Sequence, residues 1–128
     1  MERALELYVA IQLTVIGLSH ILYPRSWVEF FIWLRGKGQA GAFANGFLSL
    51  AMGSMIVAFH PVWSGLPMVV TIFGVLNLIK AAQCFLLPAV SVRTMSRVSL
   101  ERSREFVAAG IVALAMAALT TLAYVRGA

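Results

Sequence analysis

Four long apolar stretches, Ala4–Tyr23, Gly41–Trp63, Leu66–Leu87 and Phe106–Val125, take up most of the chain and leave only short connections between them. Each reaches the roughly 20 residues that a helix needs to cross a hydrocarbon core of about 30 Å. Backbone polar groups find no water in lipid, so each stretch must satisfy them internally, as a helix does. Composition removes the soluble alternative: 61% of the 128 residues are hydrophobic, 12% are charged and the mean hydropathy is +0.90, too little polar surface to cover a globule in water. The expected fold is an all-α membrane protein, a single four-helix transmembrane domain over residues 1–128. The first stretch is read as a retained helix, because Met1, Glu2, Arg3 and Glu6 make no clearly positive leader and GLSHILYP offers no small-residue cleavage site. The lone cysteine, Cys84, lies inside the third stretch and excludes an intramolecular disulfide.

The two halves resemble each other. At an offset of 64, Leu22 pairs with Leu86, Pro24 with Pro88, Val28 with Val92, Ala44 with Ala108, Gly46 with Gly110, and Leu50-Ala51-Met52 with Leu114-Ala115-Met116. These eight identities barely exceed what so apolar a chain gives by chance, but they cluster. Both halves read as a span, a proline, a short amphipathic segment, and a span bearing G-x-x-x-L-A-M. That order predicts two tandem helical hairpins, a parallel internal repeat with units over about 4–63 and 66–126. In the second span Asn45, Ser49 and Gly53 recur every four residues, and Ala109, Ala113 and Ala117 recur likewise in the fourth, continuing to Thr121. Small residues on one helix face allow the close backbone approach on which helix association in lipid depends, so Ser49, Gly53, Ala113 and Ala117 are expected to form the packing seam.

Charge sets the orientation. Arg25, Arg35, Lys37, Arg93, Arg97, Arg102 and Arg104 follow the first and third spans, whereas the other side carries only Arg3 and Arg126. The positive-inside rule then places the basic segments in the cytoplasm of a cell with this protein in its inner membrane, and both termini on the non-cytoplasmic side. In PRSWVEFFIWLRGKG, Trp27, Phe30, Phe31 and Leu34 share one helical face and Gly36 and Gly38 stop the helix. This segment, and the more polar Pro88–Arg104 with Arg93 and Arg97, are expected to lie as interfacial amphipathic helices, with Trp27 and Trp33 in the headgroup layer and Arg25, Arg35 and Lys37 on anionic lipid. A nucleic-acid role has no support in basic residues this scattered. On the opposite side Trp63, Tyr8 and Tyr124 read as an aromatic belt, and His60 reads either as a tolerated interfacial polar group or as a proton or metal contact. No H-x-x-H, C-x-x-C or E-x-x-H spacing occurs, so neither a metal nor a cofactor is expected.

Lys80 is the one charge well inside a span. A charged group near mid-membrane costs on the order of 2.5–3.5 kcal/mol on insertion scales, so such residues face the bundle interior and have partners. Gly74, Asn77, Lys80 and Cys84 share one face of the third span, as Glu6, Leu13, Gly17 and His20 do in the first. The functional reading is an intramembrane polar site of Lys80, Asn77, His20, Asn45 and Glu105; the bland reading is that Lys80 snorkels to the headgroups and His20 sits near the interface.

His60-Pro-Val-Trp63, Gly74-Val-Leu-Asn-Leu-Ile-Lys80 and Leu87-Pro88 give the stretch from about Gly46 to Pro88 a resemblance to small uncharacterised bacterial four-span integral membrane proteins, which often carry an H-x-x-W, a glycine and lysine in the third span and a proline ending it. The resemblance implies no reaction, but it implies that Lys80 and His60 are family features. Three functions stay open: a transporter or channel protomer that must oligomerise, most simply as a dimer; an accessory, assembly or scaffold subunit of a larger membrane complex; and, last, a lipid- or quinone-handling enzyme using His20, Lys80 and Glu105 as acid and base. No nucleophile with an adjacent base is found, and no catalytic residue is assigned.

Overall fold

The computed structural model describes residues 2–127, which form α1 (Glu2–Leu22), α2 (Pro24–Gly36), α3 (Gln39–Phe59), α4 (Met68–Leu86), α5 (Pro88–Met95), a 3-10 turn at Leu100–Arg102, and α6 (Arg104–Arg126). Four of these helices, α1, α3, α4 and α6, are long and apolar enough to cross a membrane, the build of a small multi-pass membrane protein. Proline sets the breaks. Tyr23, His60 and Leu87 each precede one and leave the helical region, at φ/ψ of −131°/53°, −133°/63° and −130°/61°. The pyrrolidine ring crowds the residue before it out of the helical basin, and Pro24 and Pro88 then open the next helices at the position where a missing N–H costs nothing. For the same reason the second span ends at Phe59, short of the expected Trp63. Pro88–Arg104 is not one helix: α5 stops at Met95 and a turn leads into the 3-10 segment.

Packing is pairwise. α1 runs along α6 and α3 along α4, while α1 with α3 and α4 with α6, the helices expected to form hairpins, touch only lightly. Both close pairs depend on glycine. A Cβ on Gly110 would stand 2.7 Å from the Gly17 carbonyl oxygen and 3.0 Å from the Cβ of His20, and one on Gly53 would stand 2.6 Å from the Leu78 backbone nitrogen. Likewise a Cβ on Gly46 would stand 2.7 Å from the Cβ of Cys84.

The seam therefore differs in register from the four-residue repeat expected. Gly46, Ser49, Gly53 and Ile56 are buried on α3, and Gly110, Ala117 and Thr120 on α6 with Ala113 half-buried between them. Alternating steps of three and four keep a stripe on one side of a helix, whereas successive steps of four drift by about 40° each at 100° per residue. Ser49, Gly53, Ala113 and Ala117 belong to both patterns. Asn45 and Ala109 fall one position off the true seam, and both turn away from it.

The two pairs meet at the end that carries the termini and the His60–Pro67 connection. There Val9 and Leu13 of α1, Ala117 of α6, Ile56 of α3 and Val70 of α4 form one apolar cluster, with Met52, Phe73, Ala113 and Met116 against it. At the opposite end α2 and α5 lie across the bundle, and a second cluster of Leu34, Ala42 and Met95 joins them to α3. Arg35, expected on lipid headgroups, instead donates to the carbonyls of Met95, Ser96 and Val98 at 3.3, 3.2 and 2.6 Å and ties the end of α5 to α2. Outward faces are apolar, with Leu48, Leu86 and Val125 among the most exposed side chains, as suits helices whose solvent is hydrocarbon.

Candidate functional site

Between the two pairs, toward the α2 and α5 end, lie two adjoining cavities of about 330 and about 590 Å³ whose walls share His20, Phe31, Asn45, Lys80 and Ala109. The smaller adds Glu105, Phe106 and the end of α5; the larger runs along Ile16, Leu48, Met52, Met55, Phe73 and Asn77. Neither is enclosed, and both are walled mostly by apolar atoms. All five residues expected to form a polar site line one or both of them. They arrive there because α4 offers Asn77 and Lys80 on one face, α3 offers Asn45 just off its seam, and α1 and α6 supply His20 and Glu105 from the facing pair.

What the structure does not give is the partner expected for Lys80. Among the described residues no hydrogen-bond acceptor lies within reach of its ammonium and no carboxylate lies within 4.0 Å, and the side chain stays exposed to the cavity. His20 is fixed more firmly. Its Nδ1 is 2.8 Å from the carbonyl of Ile16, so Nδ1 carries the proton and donates, and Nε2 is left without a protein partner. The ring stacks on Trp27 at 4.2 Å and on Phe106 at 5.7 Å between centroids. Asn77 donates to its own helix at Phe73, 2.9 Å away, leaving its carbonyl oxygen free.

Of the three tryptophans assigned to the interface, Trp33 and Trp63 are exposed, whereas Trp27 turns inward: it is half-buried, and its indole N–H donates to Ser19 Oγ at 2.9 Å. Phe31 and Leu34 follow it under the bundle, so the outward aromatic face of α2 is that of Phe30 and Trp33. Arg93 and Arg97 are exposed on and just beyond α5.

At the closed end lies a buried polar group. His60 is 0% exposed, Thr71 2% and Glu6 3%. This removes the reading of His60 as a tolerated interfacial group and leaves that of a contact with a proton or metal, because the pre-proline turn at His60 and the bend back into α4 fold it beneath α1. His60 Nε2 is 3.1 Å from Glu6 Oε1, and His60 Nδ1 is 2.9 Å from Thr71 Oγ1. Thr71 Oγ1 also lies 2.6 Å from the Val62 carbonyl and 3.0 Å from that of His60. Glu6 shares a face with Leu13 and Gly17, all three buried, and His60 carries the H-x-x-W pattern; nothing local marks Thr71. A search of protein-family models, of curated proteins and of solved structures finds none that matches this chain.

Proposed function

We propose that the chain is a small polytopic membrane protein acting as a transporter-like protomer, one that admits an organic anion from its basic end to the cavity around Lys80. One observation carries this reading: an ammonium group without a protein partner faces a cavity between two helix pairs that separate at one end and close at the other. A cation set within an apolar span with no counter-charge is unfavourable alone and is relieved by an anionic ligand. The larger cavity would hold the apolar part of such a ligand against Met52, Met55 and Phe73. Seven basic side chains against three acidic ones, Glu29, Glu101 and Glu105, surround the open end and would draw anions toward it.

A duplicated unit, about 4–63 and 66–126, is part of this reading. At the offset of 64, the α3 seam Gly46, Ser49, Gly53 and Ile56 corresponds to Gly110, Ala113, Ala117 and Thr120 on α6. Gly46 lies against Cys84 and Phe85 as Gly110 lies against His20 and Ile21, their counterparts at that offset. The two breaks before Pro24 and Pro88 share nearly one backbone geometry. Lys80 stands where the other half has Ile16, so the charge that defines the cavity breaks the repeat. The positive-inside rule puts the basic end in the cytoplasm and both termini across the inner membrane, with Trp33, Arg93 and Arg97 in an anionic headgroup layer. Four helices enclose no wide path, so two or more copies would assemble.

Uptake of alkyl carboxylates or alkyl phosphates into proteoliposomes tests the proposal. Lys80→Met should abolish uptake and Lys80→Arg should keep much of it, because an unpaired cation in an open cavity has room for a guanidinium. Unchanged uptake in Lys80→Met sinks the transport reading.

A further inference from the structure

We infer that Glu6 and His60 form a proton-binding site at the closed end of the bundle, holding one proton between carboxylate and imidazole and fastening α1 to the connection that enters α4. The site does not depend on the Lys80 cavity carrying a solute. The argument begins with Thr71, whose hydroxyl has a single proton. Its Oγ1 stands 2.6 Å from the Val62 carbonyl oxygen, a separation two oxygens keep only with a proton between them, so the hydroxyl donates to that carbonyl, with His60 O at 3.0 Å sharing it. Thr71 therefore has nothing left to give His60, and the 2.9 Å contact requires Nδ1 to carry a proton and donate to Oγ1. His60 then faces Glu6 through Nε2 at 3.1 Å.

Two lone pairs cannot meet there. A proton must lie between Nε2 and Oε1, as imidazolium with carboxylate or as imidazole with carboxylic acid, and in both forms the pair is neutral overall. Without that proton the pair is a net anion, and the single proton of a neutral imidazole must leave either Thr71 or Glu6 facing a bare nitrogen. Glu6 Oε2 points the same way: it is buried, and no donor among the described residues reaches it. A negative charge spread onto an oxygen shut off from both solvent and donors is costly. The only cation that needs no room to reach that carboxylate is a proton. The apolar cluster of Val9, Leu13, Ile56, Val70 and Ala117 lies between this site and the Lys80 cavity.

Among the described residues the other ionisable side chains at this end are Glu2, Arg3 and Tyr8 on α1 and Tyr124 and Arg126 on α6, with none on the connection or the first turn of α4. Arg3 is engaged elsewhere, donating to the Tyr124 carbonyl at 2.6 Å and lying 4.7 Å from its ring centroid. Among the described residues His60 is the one positively chargeable side chain within 4.0 Å of Glu6.

Release of the proton leaves a buried anion that only water can relieve, so the start of α1 must part from the His60–Thr71 segment for the site to empty. The closed form thus holds a proton that the opened form, reached by water, can release. Opening is therefore expected to become easier as pH rises.

The test uses the full chain in lipid nanodiscs. Amide protection of the start of α1 and of the 60–71 segment, the exchange rate corrected for its base-catalysed intrinsic value at each pH, should fall with rising pH in the native protein. In Glu6→Gln, whose amide can donate to Nε2 without a proton that titrates, that protection should be flat over the same range. Nitrogen NMR of the histidines should find Nδ1 of His60 protonated, with the Nε2 signal or a carboxylic-acid infrared band marking the shared proton. A Glu6→Gln protein with native pH dependence overturns the site. So does a native His60 with a bare Nδ1, a measurement that decides the matter even if Glu6→Gln fails to fold.

Discussion

Lys80 and Glu6 are each a charged residue type set into an apolar helix, and the fold treats them in opposite ways. Glu6 is enclosed with a partner of the complementary kind, whereas Lys80 is left to a cavity with none. The place of Lys80 was legible because charge inside a span is rare; the absence of a partner was not, since it depends on how far apart two helix pairs stand. The meeting of His60 with Thr71 was illegible for another reason. They meet only because a pre-proline break turns the chain, and no periodicity records that reversal. Thr71→Val keeps the shape of the side chain but strips the Val62 carbonyl and His60 Nδ1 of their partner. It should cost about 1–3 kcal/mol in a thermal or denaturant titration, while Thr71→Ser should cost much less. Trp27 offers a reporter at the other site: it lies in the wall of the larger cavity and against His20, so titrating an alkyl phosphate should change its fluorescence in the native protein and not in Lys80→Met.

Helices were located in the sequence to within a few residues because hydropathy fixes a span by its solvent. Their faces were placed less well. A four-residue spacing of small residues in apolar sequence picks out Asn45, Ser49 and Gly53, yet the side that meets α4 is Gly46, Ser49, Gly53 and Ile56, and the difference of one position decides whether Asn45 packs or lines a cavity. α2 was misjudged in a similar way: all its aromatic residues were given to lipid, but Trp27 and Phe31 complete the underside of the bundle. The seam makes a quantitative claim. Gly53→Ala and Gly110→Ala push a methyl into backbone atoms of the facing helix and should each destabilise the protein by about 1–3 kcal/mol, seen as a lower unfolding temperature in detergent. Gly36 at the end of α2 has no neighbour within 4 Å of an added Cβ, so Gly36→Ala should be neutral or slightly stabilising in the same measurement.

At the scale of the molecule the charges gather at one end and the termini at the other. A reporter joined after the last residue should accordingly be active only when exported, and a reporter in the Gly36–Gly38 turn only in the cytoplasm; the reverse pattern would invert the orientation and with it the side from which an anion approaches. The pairing of the first helix with the last has its own consequence for how the protein is made. During synthesis α3 meets α4 soon after both leave the ribosome, but α1 has its glycine seam unfilled until the final span is translated. A nascent chain cut short before α6 would present Gly17 and its flanking face to whatever else shares the bilayer, so insertion machinery or quality-control proteases have a long interval in which to act on it.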